Sequence, residues 1–202
     1  MELISSTFNP ILLATSGEGT LARETESSSA VNAIAQNAAL ASAGSIDAFE
    51  QLAIQFEPRI YGFLCRHVGN AHDAQDITQE TFVRAWRAIY RFDPKRDFAT
   101  WLFVIARRAA ANHFRSRRLY AQLSDEMAEA PPEASRSEET DDLWRAAKKL
   151  KPSYYEALWL RYAEGFSVAQ TARVMGLTTI HVKVILHRAR KELARRLKRQ
   201  PL

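Results

Sequence analysis

From residue 46 onward, apolar positions return every three or four residues, the repeat of a helix that buries one side. Phe49, Leu52, Ala53, Phe56, Ile60, Phe63 and Leu64 make the first such face. Pro58 removes a backbone donor inside it, so a kink or break is expected near Glu57, and Gly69-Asn70 closes the segment. A second helix is predicted from about Ala71 to Tyr90, with Phe82, Val83, Trp86, Ile89 and Tyr90 as its apolar stripe. Residues 91–99 contain Pro94 among charged positions and read as an exposed loop. A third helix runs from Thr100, a plausible N-cap, through Trp101, Leu102, Ile105 and Ala109 toward Arg118. No alternating strand pattern interrupts this series.

The pattern lapses over 119–142, where Pro131-Pro132 and eight acids leave too little apolar content to pack. It resumes with a short helix over 143–150. Pro152 suits the first turn of the next helix, which carries Tyr155, Leu158, Trp159 and Tyr162 on one face and stops at Gly165. Ser167 and Gln170 have the spacing of a capping box, predicting a helix to Met175 and a turn at Gly176. The last helix starts near Thr178 or Thr179, with Val182, Leu186, Ala189 and Leu193 turned inward. Helix, glycine turn and helix is the plan of a helix-turn-helix. The expected fold is therefore all-α. Two small helical domains, 46–118 and 143–202, are joined by a flexible acidic linker, 119–142. Residues 1–45, rich in Ala, Ser, Thr and Asn, form a flexible or weakly helical leader whose Ala-rich part can become helical if something packs on it.

Composition matters mainly through its distribution. The chain has 202 residues and a net charge of +5, too modest an excess to announce a nucleic-acid binder. By region, however, the net charge is −4 over 1–47, +5 over 48–118, −7 over 119–142 and +11 over 143–202. Two basic blocks alternate with acidic stretches. A single cysteine, Cys65, cannot close an intrachain disulfide, and no apolar run approaches the length of a membrane span, so a cytoplasmic protein is expected. The five histidines are scattered, with no His-Glu-x-x-His or Cys-x-x-Cys spacing. Gly17-Glu18-Gly19 is not followed by Gly-Lys-Ser/Thr, and no serine lies in a nucleophile-elbow setting. Neither a metal, nor a cofactor, nor an enzymatic activity is expected.

Three clusters can carry binding chemistry. Asp73, Asp76 and Glu80 share one edge of the second helix, either as a solvated acidic face or as a dock for a basic partner. Phe98 and Trp101 interleave with Lys95, Arg96, Arg107 and Arg108, the mixture that stacks unpaired bases and holds phosphates, unless the two rings belong to the core. Arg108, Asn112 and Arg115 line one helical edge. On the last helix, Lys183, His187, Arg188, Arg190 and Lys191 point away from the apolar stripe, as a major-groove reader would have them.

The segment Asp73-Ala-Gln-Asp-Ile-Thr-Gln-Glu-Thr-Phe-Val-Arg-Ala-Trp-Arg87 resembles the second-domain signature of extracytoplasmic-function sigma factors, compact sigma subunits of bacterial RNA polymerase. Trp101-Leu-Phe-Val-Ile-Ala-Arg-Arg108 and Leu186-His-Arg-Ala-Arg-Lys191 extend the resemblance over about 48–198. It implies that Asp73, Asp76, Gln79 and Glu80 dock on the clamp coiled coil of the largest subunit of core RNA polymerase. It also implies that the loop of Lys95, Arg96, Asp97 and Phe98 captures a base flipped from the minus-10 element of promoter DNA, and that Arg108, Asn112 and Arg115 hold that element's upstream edge. The helix bearing Thr179, His181, Lys183, Val184, His187, Arg188 and Lys191 would enter the minus-35 groove. An anti-sigma factor is an expected partner. This chain departs from the family's pattern at Gln75, which replaces an acid, and at Ile180, Val184 and Ile185, which replace small or polar residues. Two rival readings are a stand-alone helix-turn-helix regulator of duplex operators and an adaptor that binds a partner helix through Val184 and Ile185.

Overall fold

The structure is a computed structural model that describes residues 20–68, 70–123 and 141–199. Among these residues every regular element is helical: α1 (Thr20–Ser42), α2 (Ile46–Val68), α3 (Ala71–Ala88) with a 3-10 turn (Ile89–Arg91), α4 (Phe98–Leu123), α5 (Asp141–Lys148), α6 (Pro152–Leu158) continued by a π turn (Trp159–Ala163), α7 (Val168–Met175) and α8 (Thr179–Arg199). Helices α1–α4 make an N-terminal unit and α5–α8 a C-terminal one. Residues 1–19 of the leader and 124–140 of the acidic linker, like Gly69, lie outside the described residues.

The N-terminal unit is centred on α2, whose Leu52, Phe56, Ile60, Phe63 and Leu64 are fully buried. Pro58 does not break the helix. It faces solvent between the anchored Phe56 and Ile60, and the carbonyl it leaves without a donor belongs to the exposed Ile54, where water can satisfy it. Helix α3 packs on α2 and α4 through Ala74, Ile77, Thr78, Thr81 and Ala85. Val83, Trp86 and Tyr90, expected in the apolar stripe, are instead exposed, because small residues on the inner face let α3 approach its neighbours closely. The buried Thr78 and Thr81 hydroxyls donate to the carbonyls of Ala74 and Ile77, each at 2.7 Å. The leader is helical from Thr20, and Ala38 and Ala41 are buried against the rest of the unit. Its small side chains suit a close seat on α2.

In the C-terminal unit the expected capping box is present. Gln170 N donates to Ser167 Oγ, and Ser167 N donates to the Gln170 side chain. Gly176, at φ 66°, ends α7 in a left-handed conformation that suits glycine and sets the turn into α8. Thr178 Oγ1 then accepts from His181 N, making Thr178 the residue that caps α8. Val182, Leu186 and Ala189 are buried, as their spacing predicts. Tyr162 is not: seven residues after Tyr155, it would share that face in an α-helix, but the π turn shifts its phase and leaves it 53% exposed.

Candidate nucleic-acid interface and acidic docking row

On α3, Asp76, Gln79 and Glu80 are exposed and adjacent. Each acid on this helix has a local partner. Asp76 Oδ2 lies 3.3 Å from His72 Nδ1, and Glu80 Oε1 accepts from Arg84 Nη2 at 2.6 Å. Asp73 is set apart, its side chain only 19% exposed and its Oδ2 3.4 Å from His113 Nε2 on α4. It lies on the side of α3 that meets α4 rather than in the outward row. Gln75 is also exposed, one residue before Asp76.

Beyond the 3-10 turn, Asp93 organises the loop by accepting from Lys95 N at 3.0 Å and pairing with Arg96 Nε at 3.5 Å. Lys95 and Arg96 are exposed. Asp97, rather than Thr100, caps α4: its Oδ1 accepts from Thr100 N at 2.6 Å and from the Thr100 hydroxyl. Thr100 is buried within the first turn. Phe98 corrects the expectation of a base-stacking ring, since it is 3% exposed and packs against Phe56, Phe92 and Trp101 with ring centroids 5.1 to 5.6 Å apart along the cluster. An aromatic so placed gains more from the core than a single exposed stack offers. Trp101 is half-buried at the edge of that cluster.

Along α4, Arg108, Asn112 and Arg115 are exposed on one edge, so the predicted polar row exists. Arg107 does not join it. Its Nε donates to Glu156 Oε1 of α6 at 2.6 Å. Burial pushes the Glu156 carboxyl up, but the hydrogen bond and charge of His67 and the charge and hydrogen bond of Arg107 outweigh it and hold the group below the ordinary carboxylate value. Spacing within helices could not reveal this contact. The available signal was compositional, since the +11 block holds only three acids, Glu156, Glu164 and Glu192.

On α8, Thr179, His181, Lys183, Val184, His187, Arg188 and Lys191 are all exposed. Ile180 and Val184, 75% and 40% exposed, head an outward row continued by His187 and Lys191 at helical spacing. Ile185 is buried, which removes it from the apolar surface patch expected with Val184. Arg190 bends back, donating to Leu186 O at 3.3 Å and to Tyr162 Oη at 3.5 Å. The face is thus basic at its centre and flanks, with two aliphatic side chains at its N-terminal end.

Sequence comparison agrees with this division. Residues 52–120 match Sigma-70 region 2, and residues 140–193 match Sigma-70, region 4. The RNA polymerase sigma factor CarQ of Myxococcus xanthus is 34% identical over 155 residues, covering 74% of this chain and 89% of CarQ. The chain belongs to the extracytoplasmic-function sigma factors. A second relative of this sigma factor, the ECF RNA polymerase sigma factor BldN of Streptomyces coelicolor, is 40% identical over 166 residues, which cover 78% of this chain and 63% of BldN. Among solved structures, the sigma factor RpoE in complex with the anti-sigma factor NepR from Bartonella quintana superposes with a TM-score of 0.64 at 27% identity, covering 76% of this chain and 98% of that one. Membership makes the protein a transcription initiation factor that directs RNA polymerase to promoters, and does not favour the stand-alone regulator. Among the described residues, no helix is long and apolar enough to cross a membrane.

Proposed function

We propose that this sigma factor divides its work between two charged faces. Asp76, Gln79 and Glu80 on α3 dock on a basic coiled coil of core polymerase, with the less exposed Asp73 at the inner edge of the same set. Lys95, Arg96 and the Arg108–Asn112–Arg115 edge hold opened minus-10 DNA, while Thr179, His181, Lys183, Val184, His187, Arg188 and Lys191 occupy the minus-35 major groove. Asp97 serves this task by fixing the start of α4, and Phe98 by filling the core beneath the loop. Ile180 and Val184 can reach thymine methyl groups.

The observation that carries this reading is the simultaneous exposure of an acidic row on α3 and a basic row on α8, on helices whose opposite sides are buried. A duplex-only regulator would have no use for the first. We further infer a cytoplasmic protein without catalytic activity of its own, held by an anti-sigma factor as the solved relative RpoE is by NepR. The deciding experiment is run-off transcription with purified core enzyme. The wild-type chain is expected to support it and Asp76→Lys/Glu80→Lys to lose it together with core binding. Transcription and co-purification unchanged by the double reversal would refute the docking assignment.

A further inference from the structure

The outward side of α2 carries an apolar stripe. Ile54, Pro58, Tyr61 and Cys65 follow one another at spacings of four, three and four residues, the repeat of a contact line between two packed helices. They stand opposite Leu52, Phe56, Ile60 and Phe63, which fill the core. Ile54 is 60% exposed and Tyr61 37%, Pro58 is exposed and Cys65 half-buried, and the Tyr61 side chain hydrogen-bonds to Cys65 one turn on. One flank of the stripe is acidic, with exposed Glu50 and Glu57, while the other, formed by Gln51, Gln55 and Gly62, has no charge. A second apolar stretch stands at the other end of the leader. Residues 3–17 contain no charged side chain, and Leu3, Ile4, Phe8, Ile11, Leu12 and Leu13 fall within eleven positions of one another.

We propose that residues 3–13 of the leader cover this stripe. Helices α1 and α2, each 23 residues and about 34 Å long, are joined by only three residues and pack together, which makes them antiparallel neighbours. The start of α1 at Thr20 therefore returns toward the C-terminal end of α2, where Cys65 lies. Leu13 is seven positions before Thr20 and can lie up to about 24 Å from it. Residues 3–13 then extend between about 15 Å and about 35 Å, depending on their winding, against about 16 Å from Cys65 to Ile54. The tether also fixes the direction, with Leu12 and Leu13 at the Cys65 end and Leu3 and Ile4 at the Ile54 end. It supplies an effective concentration of about a millimolar, so a contact too weak to hold separate molecules together is filled within one chain. A segment without charge is not repelled by the acidic flank and needs no ionic partner on the neutral one, and covering removes both apolar surfaces from water.

Cys65, the single cysteine of the chain, reports on the cover directly. In the full-length protein, alkylation of Cys65 by iodoacetamide is expected to be about threefold faster in Phe8→Ser/Leu12→Ser than in wild type, the change produced by a stripe covered about two-thirds of the time. Helical content should be unchanged, and the two rates should become equal in denaturant. Ile54→Ser, a change on the exposed side of α2, should speed alkylation in the same way. Under mild oxidation, Leu12→Cys should close an intramolecular disulfide with Cys65 about tenfold faster than Leu3→Cys, whose place is at the Ile54 end, whereas a leader trailing freely from α1 would close the two within about threefold of each other. Alkylation unaffected by the leader substitutions, or similar closure rates at the two positions, would overturn the proposal. A disulfide formed only between molecules would also overturn it, by placing a second copy of the chain on the stripe.

Discussion

Helices α3 and α8 each bury one side and present charge on the other, but they meet solvent in different electrostatic states. On α3 the outward acids already have close local partners, Asp76 beside His72 and Glu80 paired with Arg84. Among the described residues, Lys183, His187, Arg188 and Lys191 of α8 form no ion pair. A partner of α3 must exchange one set of close contacts for another, so that face supplies register and selectivity more than net attraction. A partner of α8 meets an uncompensated basic surface whose binding is driven by counterion release and weakens steeply with salt. With the proposed roles of the two faces, the protein would separate the choice of enzyme from the attraction to template.

The largest effect would come from removing the scaffold that α3 depends on. Phe56→Ala empties a fully buried site shared by α2 and the Phe98 cluster and should cost about 3–5 kcal/mol, read as a lower midpoint in denaturant. A much smaller loss would mean the N-terminal core can collapse around the gap. Next, Asp76→Lys/Glu80→Lys should weaken core binding about tenfold or more with a shallow salt dependence, and leave duplex binding by α8 unchanged. The opposite pattern is expected for Arg188→Ala/Lys191→Ala: core binding intact, promoter affinity lowered about tenfold, and a salt slope smaller by about one per phosphate contact removed. Equal salt slopes for the two faces would erase the contrast between them.

Smaller changes sharpen it further. Ser167→Ala removes the capping box that sets α7 against α8 and should destabilise the C-terminal unit by about 1 kcal/mol, seen in thermal melts. Acid titration addresses the seam between the units. Because the Glu156 carboxyl titrates below its ordinary value of 4.5, its contribution is fully present above that value and is lost as pH falls through its lowered one. Stability measured by thermal melts should therefore fall in that acidic range, and Glu156→Gln should flatten the dependence.

The helices were legible because burial on one side writes itself into three- and four-residue spacing, and the caps at Ser167 and Gly176 were legible because their chemistry is local. Spacing does not show which side a borderline aromatic takes. Phe98 looked like a base stacker beside Lys95 and Arg96, yet Phe56, two helices earlier in the chain, claims it. Val83, Trp86 and Tyr90 matched an apolar stripe whose place the smaller Ala74, Thr78 and Thr81 occupy. Of the expected site residues, the outward rows on α3, α4 and α8 are exposed as read, while Asp73 is only partly exposed, Asp97 caps α4 and Phe98 is buried. The seam was invisible because Arg107 and Glu156 are 49 positions apart, and Arg59 and Glu164 are 105 apart. No local window contains both members of either pair.

The wide turn at Trp159–Ala163 makes the chain tolerant of a one-residue change in length at that point. A π turn is equivalent to an α-helix carrying one inserted residue that is taken up as a local bulge, so deleting a single position there would restore ordinary winding and leave the downstream helices in nearly the same orientation. Glu164 would then still be presented toward Arg59, whereas the same deletion in a regular stretch of α6 would rotate everything after it by about 100°.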